Sequence, residues 1–343
     1  MKDLSVIIVN YKGGERLVKC LESLKDIKDR RYKFEVIVVD NQSEDGRIVE
    51  MERTYPQFVF VENTGNNGFA NGCNLGVSKS RGTNLLFLNP DTYVNSDAIF
   101  DMLEEIRVRP AYSIVTCNQI TDTGSLDRTY GKFLTISTLT GWARAANKLL
   151  FGPMEDSMVN TKHYVYPDWV SGSVLMIKKE SFLRLGKWDE DFWMYFEDVD
   201  LCRRAKLNDG EVVQLKSAEV VHSHGGSSRI NQKTTALTKA EVGISRHIYI
   251  SKHEKNGKGT IMHLLLIVTN LLFGILPASI GLLLFFVKSL HVNTLIYINL
   301  TEYYLTVLRN GKWISPRSVN YNKQLGDEVE DEGIIPVTPR AVS

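Results

Sequence analysis

Residues 4–10 read L-S-V-I-I-V-N and residues 34–40 read F-E-V-I-V-V-D, two apolar runs of strand length that each end on a polar side chain. Comparable runs recur at residues 58–61, 85–88 and 113–117. Stretches of helix length with amphipathic spacing lie between them, and this alternation is typical of parallel βαβ units with right-handed crossovers. The N-terminal part of the chain therefore predicts an α/β domain built on mainly parallel strands.

The other elements follow from the same periodicities. Helices are predicted at residues 15–24, 71–80 and 96–107, the last with Ser96 as its N-cap. Residues 118–165 have weaker periodicity and predict a loop-rich insertion. After it, strands are predicted at residues 169–177 and 219–221, with a helix that ends at Leu207 between them.

Polar residues follow three of the predicted strands, at the edge where a sheet of this class binds its ligands. The first strand leads into Asn10 and Tyr11, the second into Asp40, and the fourth into N-P-D-T with Asp91. The Asp40 carboxylate is placed to accept hydrogen bonds from a nucleobase or a ribose hydroxyl, with a turn or capping role as the plain alternative. Asp91 offers a hard oxygen ligand to Mg²⁺ or Mn²⁺ beside a diphosphate.

A segment rich in glycine and asparagine, N-T-G-N-N-G-F-A-N-G-C-N at residues 63–74, leads into a predicted helix. Glycine allows close approach of the backbone to a ligand, and a helix N-terminus favours a phosphate group. The segment therefore predicts a phosphate site, although turns of this composition are common.

An acidic run, Y-F-E-D-V-D-L-C-R-R at residues 195–204, places Glu197, Asp198 and Asp200 between aromatic and apolar neighbours. A carboxylate in such surroundings loses solvation and is repelled by its neighbours, so one of the three is expected to act as a base. The run also fits a helix N-terminus, where carboxylates oppose the macrodipole without taking part in any chemistry.

Two histidines, His222 and His224, end a late predicted strand. Residues separated by one position point to opposite faces of a strand, so at most one of them is expected to reach a ligand. Alternatively, both histidines solvate the turn that leads into Gly225 and Gly226.

Composition argues against several classes of protein. The formal net charge of +1 gives no global electrostatic case for binding nucleic acid. The cysteines, at positions 20, 73, 117 and 202, form no C-x-x-C pair, which argues against a disulfide framework or zinc site and favours a reducing cytosol. The N-terminus starts with a strand-like run, so secretion is not expected.

The character of the chain changes after Lys258, because residues 259–287 contain no Asp, Glu, Lys or Arg. This run exceeds the roughly 20 residues that span hydrocarbon as a helix. Pro277 divides it into pieces too short to span alone, so a kinked span, a re-entrant or in-plane hairpin and a buried core helix all stay open.

The flanks of this run suit a membrane surface. Lys252, Lys255 and Lys258 precede it and are expected to meet anionic headgroups. Aromatic residues that follow are expected to anchor at the interface, namely Tyr297, Tyr303, Tyr304 and Trp313. The tail at residues 315–343 is expected to be disordered.

Taken together, four ordered stretches resemble the family 2 inverting glycosyltransferases of the GT-A fold, and more narrowly their rhamnosyltransferase-like branch. They are V-I-I-V-N-Y with V-V-D-N-Q-S, N-N-G-F-A-N-G-C-N-L-G, L-F-L-N-P-D-T, and D-W-V-S-G-S through W-D-E-D-F-W-M-Y-F-E-D-V-D-L-C-R-R to H-S-H-G-G-S-S. The resemblance covers about residues 4–228. It implies an α/β, Rossmann-like mixed sheet flanked by helices at residues 1–230, a basic linker or helix at 231–258, and membrane-associated helices at 259–310.

The resemblance also implies a donor site for a nucleotide sugar. Its base and ribose would be held by Asn10, Tyr11 and Asp40, and its sugar and diphosphate by Asn67, Gly68, Phe69, Asn74 and Asn89. Asp91 would bind Mg²⁺ or Mn²⁺, with His222 beside it and His224 in reserve. Because Asn89 and Pro90 replace the acidic residues of a full D-x-D motif, a single protein carboxylate would hold the ion.

On the acceptor side, the resemblance implies that Asp198 is the general base and that Glu197 positions it or the acceptor. Apart from the resemblance, Trp169 and Trp193 are expected to line the acceptor side with Asp200, because aromatic faces stack on the C–H surfaces of sugars; core packing is the alternative for Trp169. Asp198 would take a hydroxyl proton, the oxygen would attack the anomeric carbon from the face opposite the nucleotide, and inversion would result.

The implied donor is dTDP-L-rhamnose, with UDP-hexose and UDP-galactofuranose as alternatives. The expected acceptor is a glycan, lipid-linked and at the cytoplasmic face of the cell membrane, in cell-surface polysaccharide synthesis. A sugar nucleotidylyltransferase is a competing class, but Gly13 and Gly14 lack the G-x-G-T-R spacing that would wrap a triphosphate. A non-catalytic, membrane-tethered carbohydrate-binding protein is the other alternative, and the presence of both Asp91 and Asp198 argues against it.

Overall fold

The computed structural model describes residues 2–25, 27, 31–152, 158–223 and 230–321. Its strands are β1 (Lys2–Asn10), β2 (Phe34–Asp40), β3 (Val59–Glu62), β4 (Gly82–Leu88), β5 (Thr92–Tyr93), β6 (Tyr112–Ile120), β7 (Leu126–Asp127), β8 (Tyr130–Gly131), β9 (Val159–Asn160), β10 (Tyr164–Tyr166), β11 (Trp169–Val170), β12 (Val174–Lys178) and β13 (Glu211–His222). Its helices are α1 (Glu15–Lys25), α2 (Arg47–Thr54), α3 (Gly68–Lys79), α4 (Ser96–Val108), α5 (Gly141–Phe151), α6 (Lys179–Arg184), α7 (Glu197–Leu207), α8 (Gln232–His253), α9 (Gly257–Ile267), α10 (Ile275–Leu283) and α11 (Lys288–Asn310). A π-helical turn at Val268–Leu272 lies between α9 and α10.

The main sheet has the strand order β3-β2-β1-β4-β12-β6-β13-β10-β9. β1 runs parallel to β2 and β4, whereas β12 is antiparallel to both β4 and β6. From β1 the chain adds β2 and β3 on one side and β4 on the other. This reversal of the strand order opens a crevice outside the carboxyl ends of β1 and β4. The expected mixed sheet with flanking helices is therefore confirmed.

Both faces of the sheet are covered, which is why its central strands are continuous apolar runs. In β1, Val6 and Ile8 pack towards α1 and α4, whereas Ile7 and Val9 pack towards α3 on the opposite face. All four cysteines are buried and free. The sheet is thus a rigid base that fixes the position of each strand end at the crevice.

Three local predictions are corrected. The N-cap of α4 is Asn95, whose side chain accepts a hydrogen bond of 2.7 Å from the Ala98 amide, because an extended residue must precede the helix that starts at Ser96. The strand predicted at 169–177 is interrupted by a turn, so only β12 joins the main sheet. The insertion at 118–165 also contains strands β7 to β10 and helix α5.

The apolar C-terminal run folds as helices, and its break lies before Pro277. The π-helical turn and residues 273–274 end the first helix, so Pro277 falls in the first turn of α10, where its missing N–H costs no hydrogen bond. α10 and α11 pack closely as a hairpin, in which the Thr294 hydroxyl donates to the Ala278 carbonyl at 2.7 Å.

Several residues expected at a membrane surface or in a disordered tail are instead packed inside. Lys252 pairs with Asp189 and Asp191 at 2.7 and 2.5 Å, so its charge is already neutralised within the protein. Tyr303 and Tyr304 are buried, and Trp313 stacks on the buried His247 with ring centroids 4.5 Å apart. These contacts bury aromatic surface against α8, which is why the rings leave the interface.

The tail prediction is wrong for residues 315–321, which pack on the loop before the acidic run. The Ser318 hydroxyl donates to the Glu190 carbonyl at 2.6 Å, and Arg317 pairs with the buried Glu241 at 2.9 Å. Residues 322–343 lie outside the described part of the chain.

Candidate active site

A cavity of about 700 Å³ opens at the crevice, within the size range of small-ligand sites. Six residues predicted for the donor and metal line it, namely Tyr11, Gly68, Phe69, Asn89, Asp91 and His222. Four residues predicted for catalysis and the acceptor line it too, namely Trp169, Trp193, Glu197 and Asp198. The fold thus brings together side chains that lie more than 200 positions apart in the sequence.

Asn10 and Asp40, which were predicted to hold the nucleotide, are buried and do not line the cavity. Asp40 accepts a hydrogen bond of 2.6 Å from the Asn10 amide and bonds of 2.8 and 2.6 Å from the Ser43 backbone and hydroxyl. These bonds tie the ends of β1 and β2 together. Tyr11 lines the cavity beside them with Asn41, a residue that the sequence did not single out.

The start of α3 interlocks with the loop that precedes the acidic run. Gly68 has a φ of +87°, and a Cβ added there would lie 2.1 Å from the Trp193 carbonyl oxygen, so only glycine fits. The Phe69 amide donates to that oxygen at 3.0 Å, and the Trp193 indole donates to the Asn66 carbonyl at 2.9 Å. Asn66, Gly68 and Phe69 of the N-N-G-F sequence thus contact Trp193 and hold two walls of the cavity together.

Asn67 and Asn74 do not line the cavity, contrary to the prediction. The Asn67 amide donates to the Asn63 side chain at 3.3 Å within its own turn. Asn74 lies further along α3, where the helix has rotated, and its amide donates to Trp188 and Glu190 at 2.9 and 2.8 Å. Both asparagines shape loops that support the site.

The predicted metal residues meet at the end of β13. The His222 Nε2 lies 3.2 Å from the Asp91 carboxylate, and both side chains are largely buried. Among the described residues no group of three or more His, Cys, Asp or Glu side chains forms a metal site. Because Mg²⁺ takes six ligands, these two residues fit a divalent ion only if diphosphate oxygens and water complete the set. His224 lies outside the described residues.

The acidic helix α7 begins after two residues in left-handed backbone conformation, Tyr195 with φ +70° and Phe196 with φ +67°. Such conformations are strained for residues other than glycine and are concentrated at functional sites. They turn the chain so that the first turn of α7 faces the cavity. Glu197 and Asp198 are placed there together.

Asp198 is held by backbone donors from two elements. Its carboxylate accepts hydrogen bonds of 3.0 Å from the Gly172 amide and 2.8 Å from the Val199 amide. Burial raises the pKa of Asp198, and these donors act against the rise by stabilising the charged form. The result is a fixed carboxylate that stays basic, which suits a general base.

Glu197 differs from Asp198 in its protonation. Burial raises the pKa of Glu197 well above the usual range, and the charge of Asp198 raises it further. One of its carboxyl oxygens has no hydrogen-bond partner among the described residues. Burial and the neighbouring charge of Asp198 therefore both act against ionisation of Glu197.

Asp200 is not an acceptor residue, because it points away from the cavity. Its carboxylate bonds His253 at 2.7 Å and Arg204 at 2.5 Å. Burial acts to raise the pKa of Asp200, but the His253 and Arg204 contacts outweigh it and lower the pKa below the usual range. The residue anchors α7 to the end of α8.

On the acceptor side, Trp169 and Trp193 line the cavity as predicted, and the Trp169 indole donates to the Lys132 carbonyl at 2.9 Å. Sequence reasoning missed the wall formed by α8, whose lining residues are Thr234, Thr238, Val242 and Arg246. Their spacing of four residues is the only signal that would have found them.

Comparisons with known proteins agree with the fold described above. Residues 5–163 match the family model described as glycosyl transferase family 2. The low-salt glycan biosynthesis hexosyltransferase Agl10 of Haloferax volcanii is 25% identical over 241 residues, which cover 65% of this chain and 68% of that protein. The rhamnosyltransferase WbbL of Escherichia coli K12 is 26% identical over 226 residues, 63% of this chain and 82% of that protein.

Among solved structures, GalNAc-T7 with UDP, GalNAc and Mn²⁺ superposes with a TM-score of 0.52 at 16% identity. The match covers 70% of this chain and 48% of the chain of that structure, so the present chain spans about half of it. The similarity shows a shared fold.

Proposed function

Because this chain is a glycosyltransferase with a family 2 domain that uses a nucleotide sugar, we propose that it transfers a hexosyl unit, with inversion, to a hydroxyl of a lipid-linked glycan. The first candidate donor is dTDP-L-rhamnose, and UDP-hexoses and UDP-galactofuranose are the alternatives. The observation that carries this proposal is the cavity itself, in which Asp91 with His222 and Asp198 with Gly172 line the same space.

The proposed mechanism is a single displacement. Asp198 accepts the proton of the acceptor hydroxyl as that oxygen bonds to the anomeric carbon. The bond from this carbon to the diphosphate breaks at the same time, and the nucleoside diphosphate leaves with its electron pair. Mg²⁺ or Mn²⁺ held by Asp91 and His222 would neutralise charge on that leaving group.

Glu197 supports this mechanism through its proton. As a neutral carboxylic acid next to Asp198, it can donate a hydrogen bond to the acceptor without adding a second negative charge to the site. Trp169 and Trp193 offer apolar faces to the C–H surface of a sugar ring. Together these groups orient one hydroxyl towards the Asp198 carboxylate.

The membrane part of the proposal rests on exposed apolar surface. The helical segment Gly257–Leu283 is long and apolar enough to cross a membrane, and 17% of its most apolar stretch is buried. Within this segment, Leu272, Leu276 and Leu283 are 64%, 67% and 76% exposed. A buried core helix would not expose such side chains, so we place this face against the cytoplasmic leaflet.

Helix α5 extends this face. Leu149, Leu150 and Phe151 at its end are 86%, 71% and 81% exposed. The helix is joined to the apolar segment because the Trp142 indole donates to the Thr269 hydroxyl at 2.8 Å. Exposed apolar residues on adjoining elements make a single patch suited to lipid.

The donor is tested by a thermal-shift panel of nucleotide sugars, followed by assay of nucleoside diphosphate release in the presence of Mn²⁺. A ligand at a hundred times its Kd stabilises a protein by about 2.7 kcal/mol, which identifies the donor clearly. dTDP-L-rhamnose is expected to stabilise most. Equal stabilisation by a UDP-hexose would transfer the proposal to that donor, and none by any nucleotide sugar would contradict it.

A liposome cosedimentation assay tests the membrane face. Substituting serine for Leu282, Leu283, Phe285 and Phe286 together is expected to abolish binding to anionic vesicles. The matched control replaces exposed apolar residues of the catalytic domain, Val108, Leu183 and Leu207, which are 64%, 45% and 67% exposed. Vesicle binding by the first variant equal to that of wild type would contradict the proposed attachment.

A further inference from the structure

One cavity wall ends in a charge that the proposed mechanism does not use. Thr234, Thr238, Val242 and Arg246 lie on one stripe of α8, which extends over about 18 Å at 1.5 Å per residue. The stripe reaches the loop of the acidic run, because the Ser245 hydroxyl donates to the Met194 carbonyl at 2.9 Å. Arg246 therefore lies in the same cavity as the proposed base and next to the loop that positions it.

No ion pair within the described part of the chain balances the Arg246 guanidinium. Its Nε is buried without a hydrogen-bond partner. Burial lowers the pKa of Arg246, and the positive charge of Arg144 lowers it further. A buried guanidinium nitrogen without an acceptor is unfavourable unless a ligand supplies one.

The position of Arg246 is equally specific. Gly243, one turn before Arg246, packs near Asn270 and Leu300 of the C-terminal helices. Arg246 thus lies where the catalytic cavity meets the C-terminal helices, which carry the exposed apolar face.

We propose that Arg246 binds the phosphate group through which the acceptor glycan is attached to its lipid. The inference rests on the proposed function and adds the recognition of the acceptor. A guanidinium matches phosphate with two parallel hydrogen bonds, and burial strengthens the contact. The glycan then extends from Arg246 along the wall of α8 towards Asp198, and the lipid chain lies on the exposed faces of α5 and residues 259–287.

The donor diphosphate is the other phosphate that enters this cavity, but it has a separate place. Asp91 and His222 lie at the ends of β4 and β13, on the sheet, whereas Arg246 lies on helix α8. The Asp91 carboxylate needs a bridging cation to hold a phosphate, whereas the Arg246 guanidinium binds phosphate directly.

The experiment measures transfer by the full chain in detergent to two synthetic acceptors with the same glycan and the same alkyl chain. In one acceptor the glycan and chain are joined by a diphosphate, and in the other by a neutral ether linker. The measured quantity is the ratio of kcat/KM for the two acceptors. Arg246→Met is expected to lower this ratio about 10- to 100-fold, the range for losing hydrogen bonds to a charged group.

Two further variants accompany it. Arg246→Lys keeps the positive charge but not the two parallel N–H donors of the guanidinium, so its kcat/KM ratio is expected to lie between those of Arg246→Met and wild type. Arg184→Met is the control, because Arg184 is exposed and pairs with the exposed Glu180 far from the cavity. Thermal unfolding of each variant shows whether Arg246→Met is folded, and if it is not, Arg246→Lys and Arg246→Gln carry the test.

The results separate the two proposals. If Arg246→Met lowers kcat/KM equally for both acceptors, Arg246 has a packing role and the inference is overturned. A wild-type ratio of kcat/KM near one for the two acceptors also overturns it. A raised KM for the donor alone overturns it in favour of the donor diphosphate. If wild type hydrolyses the donor but transfers to neither acceptor, the proposed acceptor class fails. Calorimetry then compares the binding of decyl diphosphate and decanol to wild type and to Arg246→Met. Weaker binding of the diphosphate by the variant supports the inference, and equal binding overturns it.

Discussion

Replacing Asp198 with asparagine removes the proposed base with little change in shape. The wild-type carboxylate accepts from the Gly172 and Val199 amides at 3.0 and 2.8 Å. Asparagine has one acceptor oxygen, so one of these bonds is lost and its NH₂ group meets a backbone donor. The lost bond costs about 1.5–3 kcal/mol, but the variant no longer buries a charge, so we expect a small net change in stability.

Turnover is expected to respond far more than stability. Losing a general base costs about 10²- to 10⁴-fold in rate, so Asp198→Asn should lower kcat by at least about 10²-fold with the donor KM close to wild type. The assay is acceptor-dependent release of nucleoside diphosphate by purified protein, with the thermal midpoint recorded for each variant. Wild-type turnover in a folded Asp198→Asn variant would refute the assignment and move it to Glu197, since Asp200 does not line the cavity.

Three other variants test separate parts of the site. Asp91→Ala should abolish metal-dependent transfer, since one carboxylate holds the ion, and EDTA should have the same effect on wild type; full activity in EDTA would remove the metal from the mechanism. Gly68→Ala should lower stability and activity together, because the added Cβ would lie 2.1 Å from the Trp193 carbonyl; unchanged thermal unfolding would show that the loops do not interlock as described. Asp200→Asn should destabilise the protein by about 3–5 kcal/mol at pH 7 by leaving Arg204 and His253 without their buried partner. The pKa of Asp200 is lower in the folded chain than in the unfolded chain, so ionised Asp200 adds stability above the unfolded pKa of about 3.9, and this stability is lost as the pH falls through the folded pKa. The difference in stability between wild type and Asp200→Asn should therefore shrink in acid. A difference in stability that does not change with pH would contradict this.

The sequence predicted the central sheet because strands covered on both faces are continuous apolar runs, and the carboxyl end of each run is then defined. The family 2 glycosyltransferase domain indicated by the four ordered stretches is confirmed over residues 5–163, and the relatives are glycosyltransferases too. The sequence placed Asp91, His222 and Asp198 at the cavity because they end a strand or begin a helix, where a one-dimensional pattern locates them.

The errors arose where the answer depends on partners far away in the chain. Within E-D-V-D, no local feature distinguishes Asp198 from Asp200, and the difference lies in His253, which binds Asp200. Tyr304 reads as an interfacial aromatic, but its hydroxyl bonds His247 at 2.9 Å, 57 positions earlier. Such pairings follow from tertiary packing alone.

The wall of α8 was missed for a different reason. Its four lining residues are two threonines, a valine and an arginine, a mixed set that forms neither an apolar stripe nor a known motif. Only the docking of α8 against the loop of the acidic run shows that this face meets a ligand. A cavity wall made by one helix therefore needs the structure, even when the spacing is regular.

The stereochemistry of the product tests the central claim most directly. After incubation of the enzyme with its donor, a divalent cation and a lipid-linked acceptor, NMR of the new glycosidic linkage gives its anomeric configuration. One base carboxylate acting on the acceptor in a single displacement predicts a linkage of configuration opposite to that of the donor. A retained configuration would contradict this mechanism, and release of nucleoside diphosphate without any new linkage would contradict the transferase function.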